Sequence, residues 1–327
     1  MTFLNIIILG ETMTSKERFI KALKREPVDR VPTFELVFFL TMEAFGKVHP
    51  THRAFGQWDQ MSERERQLQR EDVAKLYIDI AKKYNHDAIF LHPLFYTPEE
   101  TAIESKLIQD MSNDEYFIMV HGDPTFAIPD GNSMMDFSIQ MADDPEGLLE
   151  EAQNRVDASV EAAKYIKETG AVDGFALCSD YCLNTGPFMS PRQFRTFVYP
   201  FLADICAKYR EMGFYTIKHT DGNIMPIIDM LIDSKPDALH SIDPQAGVDI
   251  GEVKAKYGDK VCIIGNVNCG LMQTGTEEEV IASAKYALEK GKPGFGYIFS
   301  TSNCVYTGMD LSRYDLILKV YEEEKYY

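Results

Sequence analysis

The stretch FYTIKHTDGNIMPIIDMLIDSKPDALHSID, residues 214–243, contains the pattern that decides the fold. It begins with a run rich in β-branched and aromatic residues, continues through a helical pattern, and ends with a second short apolar run. A strand, a crossover helix and a second strand form the unit from which parallel sheets are built. The first run ends in His219, Thr220, Asp221 and Gly222, so two ionisable side chains directly precede a glycine turn.

The same alternation extends along the chain in both directions. Amphipathic patterns such as 190–213, which begins with a Ser-Pro cap, and 276–291, which begins with the capping sequence Thr276-x-x-Glu279, separate the apolar runs. Eight strands alternating with helices predict a (β/α)8 TIM barrel, with a doubly wound open sheet as the alternative. The candidate strands are residues 30–36, 86–93, 116–122, 172–180, 214–222, 236–243, 260–268 and 295–303.

The chain shows no composition shift and no Pro/Ser-rich linker, so residues 14–327 are predicted to form a single domain. Residues 1–13 contain an apolar run with no basic region before it, too short to span a bilayer. We expect them to be an N-terminal extension, with the natural start at Met13. Residues 123–140 interrupt the alternation and predict a hairpin insert over the barrel mouth.

Composition limits the classes of partner. The chain is 45% hydrophobic and 26% charged, as in globular proteins, and its net charge is −18. This charge argues against nucleic acid or an anionic membrane as the main partner. The six cysteines lack the spacing of secreted disulfide scaffolds, which predicts reduced thiols and a cytoplasmic location. Three of them lie in apolar runs and are expected to be buried: Cys178, Cys206 and Cys262.

Polar residues cluster at the predicted strand ends, where barrels of this type place their active sites. Alternation along a strand puts His219 and Asp221 on one face, toward the barrel axis, and Thr220 on the other. Asp243 has an equally good interpretation as a helix N-cap. We predict that one cavity is lined by Glu35, His92, Asp180, His219, Asp221 and Asn303.

Three segments carry a resemblance to the uroporphyrinogen decarboxylase superfamily. These are SKERFIKALKREPVDRVP near the start, the stretch from HTDGN (219–223) to GNVN (265–268), and GFGYIFSTSN (294–303). The resemblance runs from residue 14 to about residue 323, in order, and implies a (β/α)8 barrel. It also implies one of two chemistries, which are cofactor-independent decarboxylation of porphyrinogen acetates and zinc-dependent methyl transfer involving a corrinoid on a partner protein.

The decarboxylase branch carries an arginine-rich loop, RQAGRY, after the first strand and an aspartate within FSDIL after the second. Here the first segment reads FELVFFLTMEAF (34–45), without arginine, and the second reads FLHPL (90–94), with His92 in place of the aspartate. Arginine forks are the natural partners of the many carboxylates of a porphyrinogen. These departures disfavour uroporphyrinogen decarboxylation itself.

The methyltransferase branch has His-x-Cys at the corresponding strand end, a second Cys after the last strand, and zinc. His219 matches the histidine, Asp221 stands at the first cysteine, and Asn303 stands at the second, with Cys304 one residue later. The resemblance therefore implies a zinc site made by His219, Asp221 and Cys304, with Glu35 as a further donor. A metal-free His219–Asp221 pair acting as general acid is the alternative.

The methyltransferase branch places two cysteine thiolates in its zinc site. A site that carries carboxylates in their place suits an oxygen leaving group better. We therefore expect a methyltransferase that moves methyl from a small-molecule methyl ether, such as a phenyl methyl ether, to Co(I) of the corrinoid (cobalamin) on a partner protein. Asp180 would orient the substrate, and a homodimer is compatible with the sequence. The alternatives are a decarboxylase of another carboxylated ring and a non-enzymatic ligand-binding barrel. Beyond the catalytic set His219, Asp221 and Asp180, substrate contacts are expected from Glu35, His92, Phe34, Tyr181, Asn266 and Asn303.

Overall fold

The computed structural model describes residues 13–327, so most of the expected N-terminal extension lies outside the described residues. A seven-stranded parallel sheet with strand order β1-β2-β3-β6-β7-β8-β9 forms the centre of the fold. A separate two-stranded antiparallel hairpin consists of β4 and β5. The strands are β1 Ala88–Phe90, β2 Phe117–His121, β3 Gly174–Leu177, β4 Cys182–Leu183, β5 Gly186–Pro187, β6 Tyr215–His219, β7 Ala238–His240, β8 Cys262–Ile264 and β9 Tyr297–Ile298.

Residues 32–34 join the two edges of this sheet. Phe299 donates its N–H to the Pro32 carbonyl at 2.8 Å, and Asp87 donates to the Thr33 carbonyl at 2.7 Å. Thr33 and Phe299 form a parallel bridge. The first candidate strand, residues 30–36, therefore fills the eighth position in the barrel wall, although it is too irregular to count as a full strand; it is called the eighth stave. With it, the sheet closes into the predicted (β/α)8 barrel.

Helices surround the barrel, and Ser62, Ser190 and Thr276 begin three of them with capping boxes. Among residues 13–327, no helix is long and apolar enough to cross a membrane. The α-helices are α1 Ser15–Leu23, α2 Thr41–Phe45, α3 Glu63–Tyr84, α4 Pro98–Ser112, α5 Met134–Asp143, α6 Pro145–Thr169, α7 Pro191–Phe197, α8 Tyr199–Glu211, α9 Ile228–Asp233, α10 Ile250–Tyr257, α11 Cys269–Thr274, α12 Glu277–Gly291 and α13 Leu311–Glu324.

Two local predictions were wrong. The pattern 190–213 is not one helix, because Pro200 has no N–H to donate and its ring clashes with the preceding turn. The helix breaks at Val198, where φ is −123°, between α7 and α8. Residues 123–140 do not form a hairpin, since they lead into α5. The hairpin lies instead at 182–187, around the two-residue turn Asn184-Thr185 that precedes Gly186.

Helix α1 covers the amino end of the barrel and fills its interior. The Phe19 ring packs 5.6 Å from Phe34 and 4.8 Å from Phe117. These three side chains are fully buried among the apolar residues that point inward from the strands. With this end closed by packing, the polar residues at the carboxyl ends of the strands face the open end.

Candidate functional site

The site is built around the ends of two neighbouring strands. β6 and β7 pair in parallel, and the register places His219 directly opposite His240, at the last residue of each strand. The two Nδ1 atoms lie 2.7 Å apart, within hydrogen-bonding distance. This contact leaves His219 Nε2 to face the loops that follow the strands.

The turn after β6 brings carboxylates from three loops together. Gly222 has φ +80°, and a Cβ at this position would lie 2.4 Å from the Cys182 carbonyl oxygen of the hairpin. Glycine is therefore required at this close backbone approach. Asp221 donates its backbone N–H to Asp180 Oδ1 at 3.0 Å, and Gly222 donates to Asp243 Oδ2 at 3.1 Å.

Asp180, His219 and Asp221 form a compact group whose potential ligand atoms all lie within 4.8 Å of one another. His219 Nε2 is 3.8 Å from Asp180 Oδ1 and 3.7 Å from Asp221 Oδ1. The Asp221 carboxylate is held on its other sides, because Ser241 donates to Oδ1 at 2.7 Å and Asn303 donates to Oδ2. The His219 side chain is 5% exposed and that of Asp180 47% exposed, so the group opens to solvent through Asp180.

Burial shapes the electrostatics of this group. It lowers the pKa of His219 to about 3, assisted by the charges of Lys218 and His121, so the imidazole is neutral near pH 7. Burial also raises the pKa of Asp221 to about 7. The hydrogen bond from Ser241 lowers this pKa, and the negative charge of Asp180 raises it. The nearby Lys218 ammonium is 2.8 Å from Asp123, away from these carboxylates. The group thus gathers negative charge next to an available nitrogen.

This donor set fits a zinc ion. Zinc bonds of about 2.0–2.2 Å with tetrahedral angles place neighbouring ligand atoms roughly 3.3–3.6 Å apart, close to the separations of His219 Nε2 from the two carboxylates. Three protein ligands and an open position are the arrangement of a catalytic zinc site. Among residues 13–327, the group with this spacing contains Asp180 rather than Cys304. Cys304 is 9% exposed and packs in the barrel interior.

Glu35 and His92 lie beside this group rather than in it. Both line a small cavity that also contains His49 and Tyr77. His92 is 5% exposed, and its ring centroid lies 4.8 Å from that of His121. The structure therefore brings four of the six predicted cavity residues into direct contact around Asp221, and it places Glu35 and His92 together next to them.

The remaining predicted contact residues have internal packing partners. Phe34 is fully buried, and its ring lies 5.9 Å from that of His240. The Tyr181 hydroxyl lies 2.6 Å from Thr125 Oγ1. Asn266 donates its side-chain N–H to the Ile242 carbonyl at 2.7 Å. A substrate contact by Phe34 or Tyr181 would require these buried side chains to move.

The interpretation of Asp243 as a helix N-cap has support, because its side chain accepts the Gln245 N–H at 2.9 Å and caps the 3-10 helix Pro244–Ala246.

The sequence analysis did not identify His240 as a site residue. A signal was available, since His240 directly follows the apolar residues Ala238 and Leu239 of the run PDALHSID, much as His219 follows the apolar part of the preceding strand. Parallel neighbours end at the same level of a barrel, so the two residues could have been paired.

Glu35 carries the clearest pH prediction. Burial raises its pKa to about 8, although hydrogen bonds from Thr301, Ser300 and Tyr314 oppose the shift. Between the ordinary pKa and this value the folded protein holds one more proton than the unfolded chain, so stability falls as pH rises. The slope approaches about 1.4 kcal/mol per pH unit. We expect urea unfolding from pH 5.5 to 7.5 to show this component in the wild type but not in Glu35→Gln.

The ionisable groups that face Glu35 do not titrate in this pH range, so they do not add to the change of unfolding free energy with pH. Burial raises the pKa of Cys269 to about 11 and holds the pKa of Tyr314 and of Cys304 above the ordinary values. Burial lowers the pKa of His240 well below its ordinary value. All four stay uncharged between pH 5.5 and 7.5. Parallel stability curves for the wild type and Glu35→Gln would contradict the prediction.

A closed barrel with ionisable groups gathered at the carboxyl ends of its strands defines the general class of (β/α)8 proteins with a site at that face. The sequence model of the uroporphyrinogen decarboxylase (URO-D) family matches residues 130–323, more than half of the chain. The chain belongs to this enzyme family. No curated protein sequence matches it.

A solved structure shares this fold. The methyltransferase from Methanosarcina mazei superposes with a TM-score of 0.71 at 20% sequence identity, over 95% of this chain and 99% of that one. D-psicose 3-epimerase, in a crystal structure with D-fructose, gives a TM-score of 0.41 at 9% identity, over 78% of this chain and 90% of that one. The first similarity agrees with the barrel described above.

Proposed function

We propose that this protein is a methyltransferase that moves a methyl group from a methyl ether to the Co(I) corrinoid of a partner protein. Membership of the URO-D family and the similarity in fold to a protein named as a methyltransferase support this class of reaction. The single observation that carries the proposal is the Asp180, His219 and Asp221 group at the barrel mouth. A phenyl methyl ether is the donor that we favour.

The chemistry of this transfer explains why such a group is needed. Co(I) supplies the electron pair that forms the carbon–cobalt bond, the carbon–oxygen bond breaks, and its electron pair leaves on the oxygen. The departing alkoxide or phenoxide must gain a proton or be stabilised by a Lewis acid. Asp221, whose pKa is raised to about 7, holds a proton for a large part of the time at neutral pH. A general acid works best with a pKa near the operating pH.

The chain's own residues have distinct tasks in this reaction. Asp221 donates the proton to the departing oxygen, Asn303 and Ser241 fix its carboxyl group, and Asp180 orients the donor from the exposed side. Zinc held by Asp180, His219 and Asp221 would, when bound, act as a Lewis acid on the same oxygen. The metal-free and the zinc versions of this mechanism use the same residues. Asp221 is a protonated acid in the first version and a zinc ligand in the second.

Decarboxylation of a porphyrinogen fits the site less well. Residues 34–45, at the end of the eighth stave and in the segment after it, contain neither arginine nor lysine. The mouth instead collects the carboxylates of Asp180, Asp221 and Asp243. A substrate with many carboxylates would be repelled by such a mouth and would find no guanidinium forks there.

The proposal is tested by incubating the protein with free cob(I)alamin and a panel of methyl donors. The panel contains a phenyl methyl ether, an alkyl methyl ether, a methyl thioether and a methylamine, and methylcobalamin is followed by its absorbance. Methylcobalamin formed from an ether supports the proposal. Transfer from the thioether or amine alone would overturn the choice of donor. Release of CO2 from a porphyrinogen, with no methyl transfer, would establish the decarboxylase alternative.

A further inference from the structure

His240 lies directly behind His219 and has no access to solvent. The Nδ1 atoms of the two rings are 2.7 Å apart, and the ring centroids are 4.9 Å apart. Two neutral imidazoles can share this bond only if one Nδ1 carries a proton and the other accepts it. The choice decides the state of His219 Nε2, because a neutral imidazole carries its proton on one nitrogen only.

The far side of His240 determines this choice. His240 Nε2 lies 3.4 Å from Ser300 Oγ, and Ser300 Oγ lies 3.3 Å from Glu35 Oε2. Thr301 Oγ1 lies closer to the same carboxyl oxygen, at 2.5 Å, and Thr301 can also donate to the Asn303 carbonyl at 3.2 Å. Ser300 therefore competes with Thr301 for one oxygen of Glu35.

Both protonation states of Glu35 give Ser300 the same role. An ionised Glu35 accepts from Ser300 and from Thr301. A protonated Glu35 donates a hydrogen bond to the nearer oxygen, that of Thr301. The Thr301 hydroxyl then donates to the Asn303 carbonyl, and Ser300 still donates to Glu35. Because Ser300 has a single hydroxyl proton, its oxygen can only accept from His240.

The direction of the hydrogen bonds from His219 through His240 to Ser300 then follows. His240 donates through Nε2–H to Ser300, so its Nδ1 is the unprotonated atom and accepts from His219 Nδ1–H. We propose that His240, held by Ser300 and Glu35, is a positioning residue that fixes His219 in the Nδ1–H form and presents an unprotonated Nε2 to Asp180 and Asp221. An unprotonated Nε2 is the form that binds a metal ion, so this inference rests on the zinc version of the proposed function, in which the metal and not His219 acts as the acid.

The state of His219 in the metal-free wild type is the first test. Long-range ¹H–¹⁵N NMR of histidine-labelled protein at pH 7 distinguishes the two neutral forms. We expect the His219 signals, assigned by their loss in His219→Gln, to show protonated Nδ1 and unprotonated Nε2. A protonated Nε2 would overturn the inference. This measurement uses neither metal nor methyl donor, so it is independent of methyl transfer.

Zinc titration of the metal-free protein is the second test. Partners of a metal-binding histidine typically contribute about 10- to 100-fold to metal affinity. We expect a loss of this size in His240→Leu, and a loss of no more than a few-fold in His240→Asn, whose amide can still accept from His219 Nδ1–H. His49→Leu is the matched control, since His49 is another buried histidine, 2% exposed, whose Nδ1 faces Thr51 rather than His219.

The variants separate positioning from simple loss of stability. His49→Leu should lower the melting temperature yet bind zinc as the wild type does. Wild-type zinc affinity in folded His240→Leu, an equal loss in His49→Leu, or a wild type that binds no zinc would each overturn the inference. If His240→Leu does not fold, the comparison of His240→Asn with the wild type and the NMR result still decide. Methyl transfer is not measured in either test, so failure of the proposed reaction leaves these outcomes readable.

Discussion

His219→Ala is expected to lower the turnover of methyl transfer about a hundredfold to ten-thousandfold, because it removes the side chain that positions the acid, zinc or Asp221, and loss of an acid on the leaving oxygen produces an effect in this range. His219 is the residue around which the two carboxylates are arranged, with Nε2 3.8 Å from Asp180 and 3.7 Å from Asp221. Because this arrangement matters most while the carbon–oxygen bond breaks, kcat should fall much more than substrate binding weakens. The measurement is the initial rate of methylcobalamin formation across a range of methyl ether concentrations.

Asp221→Asn should show the same split between kcat and KM, since asparagine keeps the shape of the side chain but cannot donate a carboxyl proton. Asp249→Asn is a matched control, because Asp249 is far from Asp221 in the sequence and serves as the N-cap of helix α10. Asparagine also caps helices well, so this substitution should leave the helix intact. The control should retain wild-type turnover. Unchanged turnover in both His219→Ala and Asp221→Asn would remove the pair from the mechanism.

Metal content distinguishes the two chemical versions of the site. Equal loss of bound zinc and of activity in His219→Ala and Asp221→Asn would favour a Lewis acid held by Asp180, His219 and Asp221. Loss of activity in a protein that never holds metal would favour proton donation by Asp221. The pKa of about 7 for Asp221 is compatible with both, since a neighbouring cation would favour the carboxylate form.

The fold was accessible from the sequence because its signals are local. The capping boxes at Ser190 and Thr276 fix helix starts within four residues, and the structure confirms both. Pro200 is equally local, and its effect on the helix could have been predicted. The misplaced hairpin had a local signal too, since Asn184-Thr185-Gly186 is a turn sequence between two short runs.

The site was accessible only in part, because its contacts join residues far apart in the chain. His219 and Asp221 could be placed on one face by strand alternation. The hydrogen bond from the Asp221 N–H to Asp180 spans the space between two loops, and no periodicity predicts it. The choice of Asp180 over Cys304 in the ligand group depends on the path of the hairpin and on the packing of Cys304 into the core, which are properties of the folded chain.

The segment SKERFIKALKREPVDRVP supported the family resemblance, and the structure gives it a physical role. Arg18 donates to Asp29 at 2.6 Å and to Asp87 at 2.7 Å, and Arg30 donates to Asp87 at 2.8 Å. Asp87 also accepts the Thr33 N–H at 2.9 Å. This network joins α1, the eighth stave and the start of β1 at the point where the barrel closes.

Asp87→Ala is therefore expected to cost about 3–5 kcal/mol of unfolding free energy, the range for removing one partner of a buried ion pair. Asp87 is completely buried, and its loss leaves Arg30 without the carboxylate that neutralises it. The measurement is urea unfolding at constant pH. Asp79→Ala is the control, because the Asp79 side chain is 32% exposed and pairs with Lys75 on a helix surface, where such pairs contribute about 0.3–0.5 kcal/mol.

A loss below about 1 kcal/mol in Asp87→Ala would show that the network does not close the barrel. The variant also links stability to the site, because Thr33 is two residues from Glu35 along the same stave. Loosening the Thr33 N–H contact should shift Glu35 away from Ser300 and Thr301, which hold it through hydrogen bonds. Because those hydrogen bonds lower the pKa of Glu35, their loss should raise that pKa further. The stability slope that Glu35 produces between pH 5.5 and 7.5 should therefore be at least as steep in Asp87→Ala as in the wild type and in Asp79→Ala, and a shallower slope in Asp87→Ala would contradict this coupling.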